Sequence, residues 1–107
     1  MYKGVIMNQI SSVSELENKL SESLETLVIY VHSPWCSICQ MYGFTMQRFS
    51  DKYPMIPVFH INISSHPELS DYLSILNVPT TLIYKHGVLS KKLVSAQTLR
   101  TLERIIQ

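Results

Sequence analysis

Residues 34–40, with the sequence PWCSICQ, contain the only tryptophan of the chain (Trp35) and both of its cysteines (Cys36 and Cys39). They follow residues 27–31, LVIYV, an apolar and mostly β-branched stretch that predicts a buried strand. After them, apolar side chains recur at helical spacing for several turns, which predicts a helix. The two cysteines are therefore expected where a strand passes directly into a helix.

The spacing of the cysteines indicates a reactive pair. Positions three apart lie on neighbouring faces of a helix, so Cys36 and Cys39 can close a small disulfide ring. Cys36 would also lie at the helix N-terminus, where unpaired backbone N–H groups and the helix dipole favour a thiolate over a thiol. A loop this short constrains little of the unfolded chain, so the pair is not expected to act as a structural staple.

Length and composition indicate one compact folding unit. The chain has 107 residues, 46% of them hydrophobic, and we expect a single domain over residues 1–107. The formal net charge of +1 gives no excess of either sign, so neither nucleic acid nor a membrane surface is expected as a partner. The N-terminus lacks the pattern of a signal peptide and no run approaches the ~20 apolar residues of a membrane span, so a cytoplasmic location is expected.

Hydrophobic periodicity and turn residues divide the chain into alternating strands and helices. The predicted order is β-α-β-α-β-α-β-β-α, an α/β fold with a central mixed sheet flanked by helices on both faces. Early strands joined by helices are expected to be parallel, and the last two, joined at residues 85–88, to form an antiparallel hairpin. The predicted boundaries include a first strand at residues 3–10, a third helix that reaches Leu76 and a last helix that begins near Ser95.

Three motifs of the chain resemble the thioredoxin family in their order and spacing. The first is WCSIC at residues 35–39, which follows a hydrophobic strand. The second is VPT at residues 78–80, which is similar to the cis-proline loop that faces the cysteines in that family. The third is KHG at residues 85–87, which is similar to the turn between the last two strands. The resemblance covers essentially the whole chain and implies a thioredoxin-like fold.

The resemblance also implies a role for each residue of these motifs. Cys36 would be the attacking thiolate that forms a mixed disulfide with a protein substrate, and the more buried Cys39 would resolve it. Trp35 would pack beside the pair and limit access to it. Pro79, in the cis form, and the backbone of Val78 would bind an extended segment of the substrate. The implied activity is the reduction of protein disulfides, without a cofactor.

Two positions depart from the family at the place where it manages the proton of the resolving cysteine. Thioredoxins typically have a buried aspartate on the central strand, and Tyr30 stands there in this chain. A lysine on the adjacent strand is replaced by His60. We hypothesise that His60, or a water near it, takes over part of the proton transfer, since its ordinary pKa of ~6.5 suits that task. The alternative is that His60 and Tyr30 fill space and share a hydrogen bond.

Other departures from the family concern the reduction potential of the cysteine pair and the surface that docks partner proteins. The residues between the cysteines are Ser37 and Ile38, where thioredoxins typically have Gly-Pro, and neither brings the charge that stabilises the thiolate in strongly oxidising relatives. This favours a reducing or intermediate couple. Phe44 stands where the family has a helix-kinking proline, and residues 94–96, VSA, replace the loop glycine that precedes the last helix. That loop belongs to the partner-docking surface of thioredoxins.

Other sites and functions remain open at this point. Cys36 and Cys39 supply two ligands, whereas a structural zinc site needs four, unless two chains share a cluster. His32 is either a partly exposed residue at a strand end or a contributor to the acidity of Cys36. The chain is expected to be a monomer that acts on disulfide-containing proteins, with a thioredoxin-reductase-like protein as its electron donor. The alternative function is an interaction module or redox sensor that binds partners at residues 78–79 with little turnover.

Overall fold

The computed structural model describes residues 7–22 and 25–107, and within them the elements follow the predicted order. Of the strand predicted at residues 3–10, Asn8–Gln9 forms a strand, while residues 3–6 lie outside the described residues. The bounds are β1 Asn8–Gln9, α1 Val13–Glu22, β2 Thr26–His32, α2 Ser37–Lys52, β3 Val58–Asn62, α3 Pro67–Leu73, β4 Thr80–Lys85, β5 Val88–Val94 and α4 Leu99–Ile106.

The strand that precedes the cysteines, β2, lies in the centre of a five-stranded sheet with the order β1-β3-β2-β4-β5. Strands β1, β3 and β2 are parallel, whereas β4 is antiparallel to both β2 and β5. The turn between β4 and β5 has positive φ at His86 (55°) and Gly87 (79°), as a tight hairpin requires. The predicted mixed sheet and final hairpin are confirmed, and the carboxyl end of β2 lies between β3 and β4.

Alternate residues of β2 belong to cores on opposite faces of the sheet, as the period of a strand requires. Ile29 belongs to a buried cluster that includes Leu16 of α1 and Leu69 of α3. Tyr30 belongs to the cluster on the other face, which includes Phe49 of α2 and Leu102 of α4. The predicted helices on both faces are confirmed. The face that includes Tyr30 is covered by α2, the helix that begins at the cysteines.

The third helix is shorter than the sequence predicts. It ends at Leu73 because Ser74 adopts a left-handed backbone conformation, with φ 55° and ψ 49°. Leu76 therefore lies beyond the helix and is 91% exposed instead of lining its apolar face. Lys92 of β5 donates to the carbonyl oxygens of Leu73 at 3.3 Å and Ser74 at 2.6 Å, which satisfies backbone acceptors at this helix end.

The last helix begins later than predicted. Its first residue is Leu99, whereas the sequence pattern placed the start near Ser95. Ser95 has a φ of 76°, which is outside the range of a right-handed helix. Thr98 is the N-cap residue, and its side chain accepts a hydrogen bond from the Thr101 N–H at 3.1 Å.

Replacement of Ser95 with glycine is expected to raise the free energy of unfolding by about 0.5–1 kcal/mol. A left-handed backbone costs a residue with a Cβ atom roughly 1–2 kcal/mol, and the larger backbone entropy of glycine offsets part of that gain. The matched control is Ser50→Gly inside α2, which is expected to lower the same quantity by about 0.5 kcal/mol. Urea denaturation measures both variants, and a destabilised Ser95→Gly protein would contradict the strain argument.

Candidate active site

The two cysteines form a disulfide at the N-terminus of α2. Cys36 is the N-cap residue of this 16-residue helix, and its Cα atom is 5.1 Å from that of Cys39. The Cys39 N–H donates a hydrogen bond to Cys36 Sγ at 3.1 Å. Cys39 is 1% exposed, whereas Cys36 is half-buried, so a molecule in solution reaches Cys36 first. The helix N-terminus and this N–H donor favour the thiolate of a reduced Cys36.

The loop before β4 lies against the sulfur of Cys36. Val78 and Pro79 are joined by a cis peptide bond, and the Val78 carbonyl oxygen is 3.9 Å from Cys36 Sγ. Pro79 is buried, Val78 is half-buried, and the Pro79 carbonyl accepts a hydrogen bond from the Ser95 N–H at 2.9 Å. The structure thus brings the two residues predicted to bind substrate next to the predicted nucleophile, about forty residues away in sequence.

Exposed apolar side chains lie near Cys36 in sequence, in the turn before α2 and on the first turns of that helix. Trp35 is 88% exposed, Met41 71% and Ile38 57%, and Ser37 is also exposed. The prediction that Trp35 packs beside the cysteines and limits access to them is therefore wrong. Trp35 lies in the turn before α2, where its N–H faces Ser33 Oγ at 3.3 Å and its ring extends into solvent. The result is an apolar surface next to the disulfide, a feature that marks interaction sites on soluble proteins.

Tyr30 occupies the position below the disulfide where the family has a carboxylate. Its hydroxyl donates a hydrogen bond to the backbone carbonyl of Cys39, and its ring meets that of Tyr42 edge to face with centroids 5.5 Å apart. Burial, and to a smaller extent Tyr42, raises the pKa of Tyr30 above its ordinary value. Tyr30 is therefore a neutral donor that holds the first turn of α2, and the predicted hydrogen bond between Tyr30 and His60 is not formed.

His60 is paired with His32 instead. The Nε2 atom of His32 lies 2.9 Å from Nδ1 of His60, and the His32 ring stacks on Tyr30 with centroids 4.9 Å apart. Burial and the neighbouring His60 lower the pKa of His32 to about 4, and burial lowers the pKa of His60. Both imidazoles are thus neutral at pH 7. A charged His32 that acidifies Cys36 does not fit this arrangement.

A cavity of about 430 Å³ lies between these side chains and Cys39. It lies between the carboxyl ends of β2 and β3 and the first turns of α2. Its lining includes Cys39, the histidine pair and residues of the helix: Tyr30, His32, Ser33, Pro34, Cys39, Gln40, Gly43, Phe44 and His60. Sequence reasoning missed the histidine pair. The signal available in the sequence was the strand period, which places Tyr30 and His32 on the same face of β2. The alignment of Tyr30 with His60 on β3 is seen only in the structure.

The free energy of unfolding is expected to fall as the pH drops from about 6.5 to 4. In that window an unfolded His32, with an ordinary pKa of ~6.5, binds a proton, whereas the folded one, with a pKa of about 4, does not. The full shift corresponds to roughly 3 kcal/mol, and partial exposure of the ring reduces our expectation to about 1–2 kcal/mol. Urea denaturation between pH 7 and 4 measures it. The His32→Asn variant should lose this part of the decrease in unfolding free energy as the pH falls, whereas His66→Asn should keep it. An equal decrease in the wild-type protein and both variants would contradict the prediction.

A metal site and a membrane-spanning helix are two further features that the described residues, 7–22 and 25–107, could contain. There, no three or more His, Cys, Asp or Glu side chains are placed to bind one metal ion. None of the helices in these ranges is long and apolar enough to cross a bilayer.

A disulfide with one accessible and one shielded sulfur can exchange with the disulfides of other molecules. Together with the fold, this defines the chain as a thiol–disulfide oxidoreductase. The family model described as Thioredoxin matches residues 8–107, and the chain belongs to the thioredoxin family of protein disulfide reductases. The family resemblance, the fold class and the enzyme class predicted from the sequence are thereby confirmed.

Individual relatives are distant in sequence and close in fold. Thioredoxin-1 of Saccharomyces cerevisiae is 22% identical over 91 residues, which cover 85% of this chain and 87% of that protein. The thioredoxin of Synechocystis is 28% identical over 100 residues, 92% of each chain. The oxidized form of mitochondrial thioredoxin 3 from Saccharomyces cerevisiae has a TM-score of 0.86 at 22% identity, covering 94% of this chain and 92% of that one.

Proposed function

We propose that the chain reduces protein disulfides with Cys36 as the nucleophile and Cys39 as the resolving thiol. The observation that supports these roles is the contrast between the two sulfurs: Cys36 is half-buried and receives an N–H donor at the helix N-terminus, whereas Cys39 is 1% exposed. A nucleophile must be accessible to a large substrate, while a resolving thiol only needs to reach the sulfur three residues away.

The reaction consists of two exchanges. The Cys36 thiolate attacks one sulfur of the substrate disulfide, whose S–S bond breaks, and the other substrate sulfur leaves as a thiolate. Cys39 then loses its proton and attacks Cys36 Sγ, which breaks the mixed disulfide and releases the second substrate sulfur. The substrate gains two electrons and two protons, and the chain is left with the Cys36–Cys39 disulfide seen in the structure.

Substrate binding is proposed for the surface around Cys36. The backbone of Val78 pairs with an extended substrate segment that runs past Pro79, in the manner of an added strand. The exposed side chains of Trp35 and Ile38 contact apolar residues of the substrate, while Ser37 leaves the approach to Cys36 free of charge. Support comes from the 3.9 Å distance between the Val78 carbonyl oxygen and Cys36 Sγ and from the exposure of the apolar side chains.

The oligomeric state, the location and the electron donor are part of the same proposal. The chain acts as a monomer in one domain over residues 1–107, in the cytoplasm, as an electron carrier supplied by a thioredoxin-reductase-like donor. Nucleic acid and membranes are not partners, in keeping with a net charge of +1. One similar solved structure comes from work on thiol resolving in yeast mitochondrial 1-Cys peroxiredoxin via glutathione and thioredoxin systems. An oxidised peroxiredoxin is therefore a reasonable first physiological substrate to test.

The insulin assay tests the activity. Reduced by dithiothreitol, the chain is expected to cut the insulin disulfides and to precipitate the freed chain much faster than dithiothreitol alone. No acceleration, combined with retained binding of a peptide at residues 78–79, would instead favour the interaction module considered from the sequence.

A further inference from the structure

We propose that His32 accepts the thiol proton of Cys39 when Cys39 closes the disulfide with Cys36. His60 is a positioning residue that fixes the tautomer of His32. The inference rests on the proposed function, because it concerns the second of the two exchanges. It replaces the sequence-based hypothesis, in which His60 had the proton-transfer role.

Few of the side chains near Cys39 can accept its thiol proton. In the part of the chain that the structure describes, the cavity that Cys39 lines contains three other titratable side chains, Tyr30, His32 and His60, and no carboxylate or amine. The Tyr30 hydroxyl donates a hydrogen bond to the Cys39 carbonyl oxygen and stays protonated, so it is not a base. Within residues 7–22 and 25–107, the titratable groups next to His32 are Tyr30, which stacks on its ring, and His60, which lies 2.9 Å away. Cys39 of α2 lines the same cavity, and Tyr42 of α2 contacts Tyr30.

The hydrogen bonds distinguish the two imidazoles. Burial lowers the pKa of His60 and a hydrogen bond to the Met7 backbone raises it to a smaller extent, and in the proposed arrangement His60 is the donor to Met7. Its Nδ1 faces His32, which leaves Nε2 as the donor to Met7 and makes Nδ1 the acceptor. His32 therefore donates from Nε2 and keeps a lone pair on Nδ1. Among the described residues the His32 imidazole makes no second hydrogen bond, so its Nδ1 is the ring nitrogen that remains able to accept.

The cavity provides a route for the proton from Cys39 to His32. A water molecule occupies about 30 Å³ in the liquid, so a space of about 430 Å³ with polar groups on its walls has room for bridging water. As Cys39 Sγ bonds to Cys36 Sγ, the mixed disulfide breaks and the substrate sulfur leaves with the electron pair of that bond. The Cys39 proton passes to His32 Nδ1, directly or through one water, and then to solvent. Because burial and the neighbouring His60 lower the pKa of His32 to about 4, its lone pair is free at neutral pH and the accepted proton does not stay on the ring but passes on to solvent.

Stopped-flow reaction with 5,5′-dithiobis(2-nitrobenzoic acid) separates the two exchanges. Attack by Cys36 releases a first thionitrobenzoate, and closure of the disulfide by Cys39 releases a second. In the His32→Asn variant the second release should slow by about 100-fold at pH 7, with the first unchanged. The control His66→Asn replaces a histidine outside the cavity and should alter neither phase. A wild-type protein without the first release would refute the proposed function itself, whereas a fast second release in His32→Asn would overturn only the role of His32.

The pH profile distinguishes a base from a structural residue. With His32 present, the second release should vary little from about pH 5 to 8, since the base is already unprotonated. Without it, closure depends on prior ionisation of the thiol, and the rate should rise about tenfold per pH unit. The His60→Leu variant should be slower yet keep the flat profile. Imidazole added to His32→Ala should restore the second release; a failure of this rescue, or a steep profile in His60→Leu alone, would overturn the assignment.

Discussion

Replacement of Cys36 with serine is expected to reduce the rate of disulfide reduction by more than about a thousand-fold, to the background of the assay. A serine hydroxyl stays protonated at neutral pH and does not attack sulfur as a thiolate does. The fold should be unaffected, because the disulfide closes a loop too short to constrain much unfolded chain. Insulin reduction with dithiothreitol as electron donor measures the loss.

The matched variant is Cys39→Ser, which keeps the nucleophile and removes the resolving thiol. It should attack a substrate disulfide and then stop, so that a mixed disulfide between Cys36 and the substrate accumulates. Mass spectrometry under non-reducing conditions detects this adduct, and dithiothreitol should release it. If Cys36→Ser formed the adduct and Cys39→Ser did not, the two roles would be assigned the wrong way round.

The largest effect on stability is expected at Phe49, the side chain that holds α2 against the sheet. Phe49 is 1% exposed and belongs to the cluster that includes Tyr30, and its ring centroid is 5.1 Å from that of Tyr53. Phe49→Ala should lower the free energy of unfolding by about 3–5 kcal/mol, because the lost apolar contacts leave a cavity in the core. Chemical denaturation of the oxidised protein measures this value.

Phe44 is the control on the same helix. It is the same residue type, 48% exposed, and its truncation should cost less than about 1 kcal/mol. Because Phe44 lines the cavity, this variant also shows whether the cavity wall affects activity without a loss of stability. Equal destabilisation by Phe49→Ala and Phe44→Ala would mean that the core on this face of the sheet is described wrongly.

The fold and the cysteine pair could be predicted from the sequence because their signals are local. The apolar run of β2, the helical spacing after it and the Cys-x-x-Cys motif lie within about thirty consecutive residues. The VPT loop needed a further step, the family resemblance, since nothing in its own three residues states which part of the chain it faces. The boundaries of α3 and α4 were missed because Ser74 and Ser95 take left-handed conformations that serine adopts rarely.

The proton-transfer site could not be predicted in full, because it depends on the register between strands. His32 and His60 meet only when Tyr30 is aligned with His60 across β2 and β3. A parallel register is set by packing over the whole sheet, and a shift by one residue would turn these side chains to the other face. Exposure of Trp35 was missed for a related reason: residue type alone does not show whether a neighbouring element covers a loop side chain.

The reduction potential of the Cys36–Cys39 couple tests the central claim most directly. The protein is equilibrated with defined ratios of reduced and oxidised dithiothreitol or glutathione, and the fraction of free thiols is measured. The absence of charge at Ser37 and Ile38 favours a reducing or intermediate couple, and the proposed reductase activity predicts a reversible two-electron couple near the ~−270 mV of thioredoxin. A potential of about −180 mV or higher, the range of isomerases and oxidants, would contradict a reductase and indicate a disulfide donor or redox sensor.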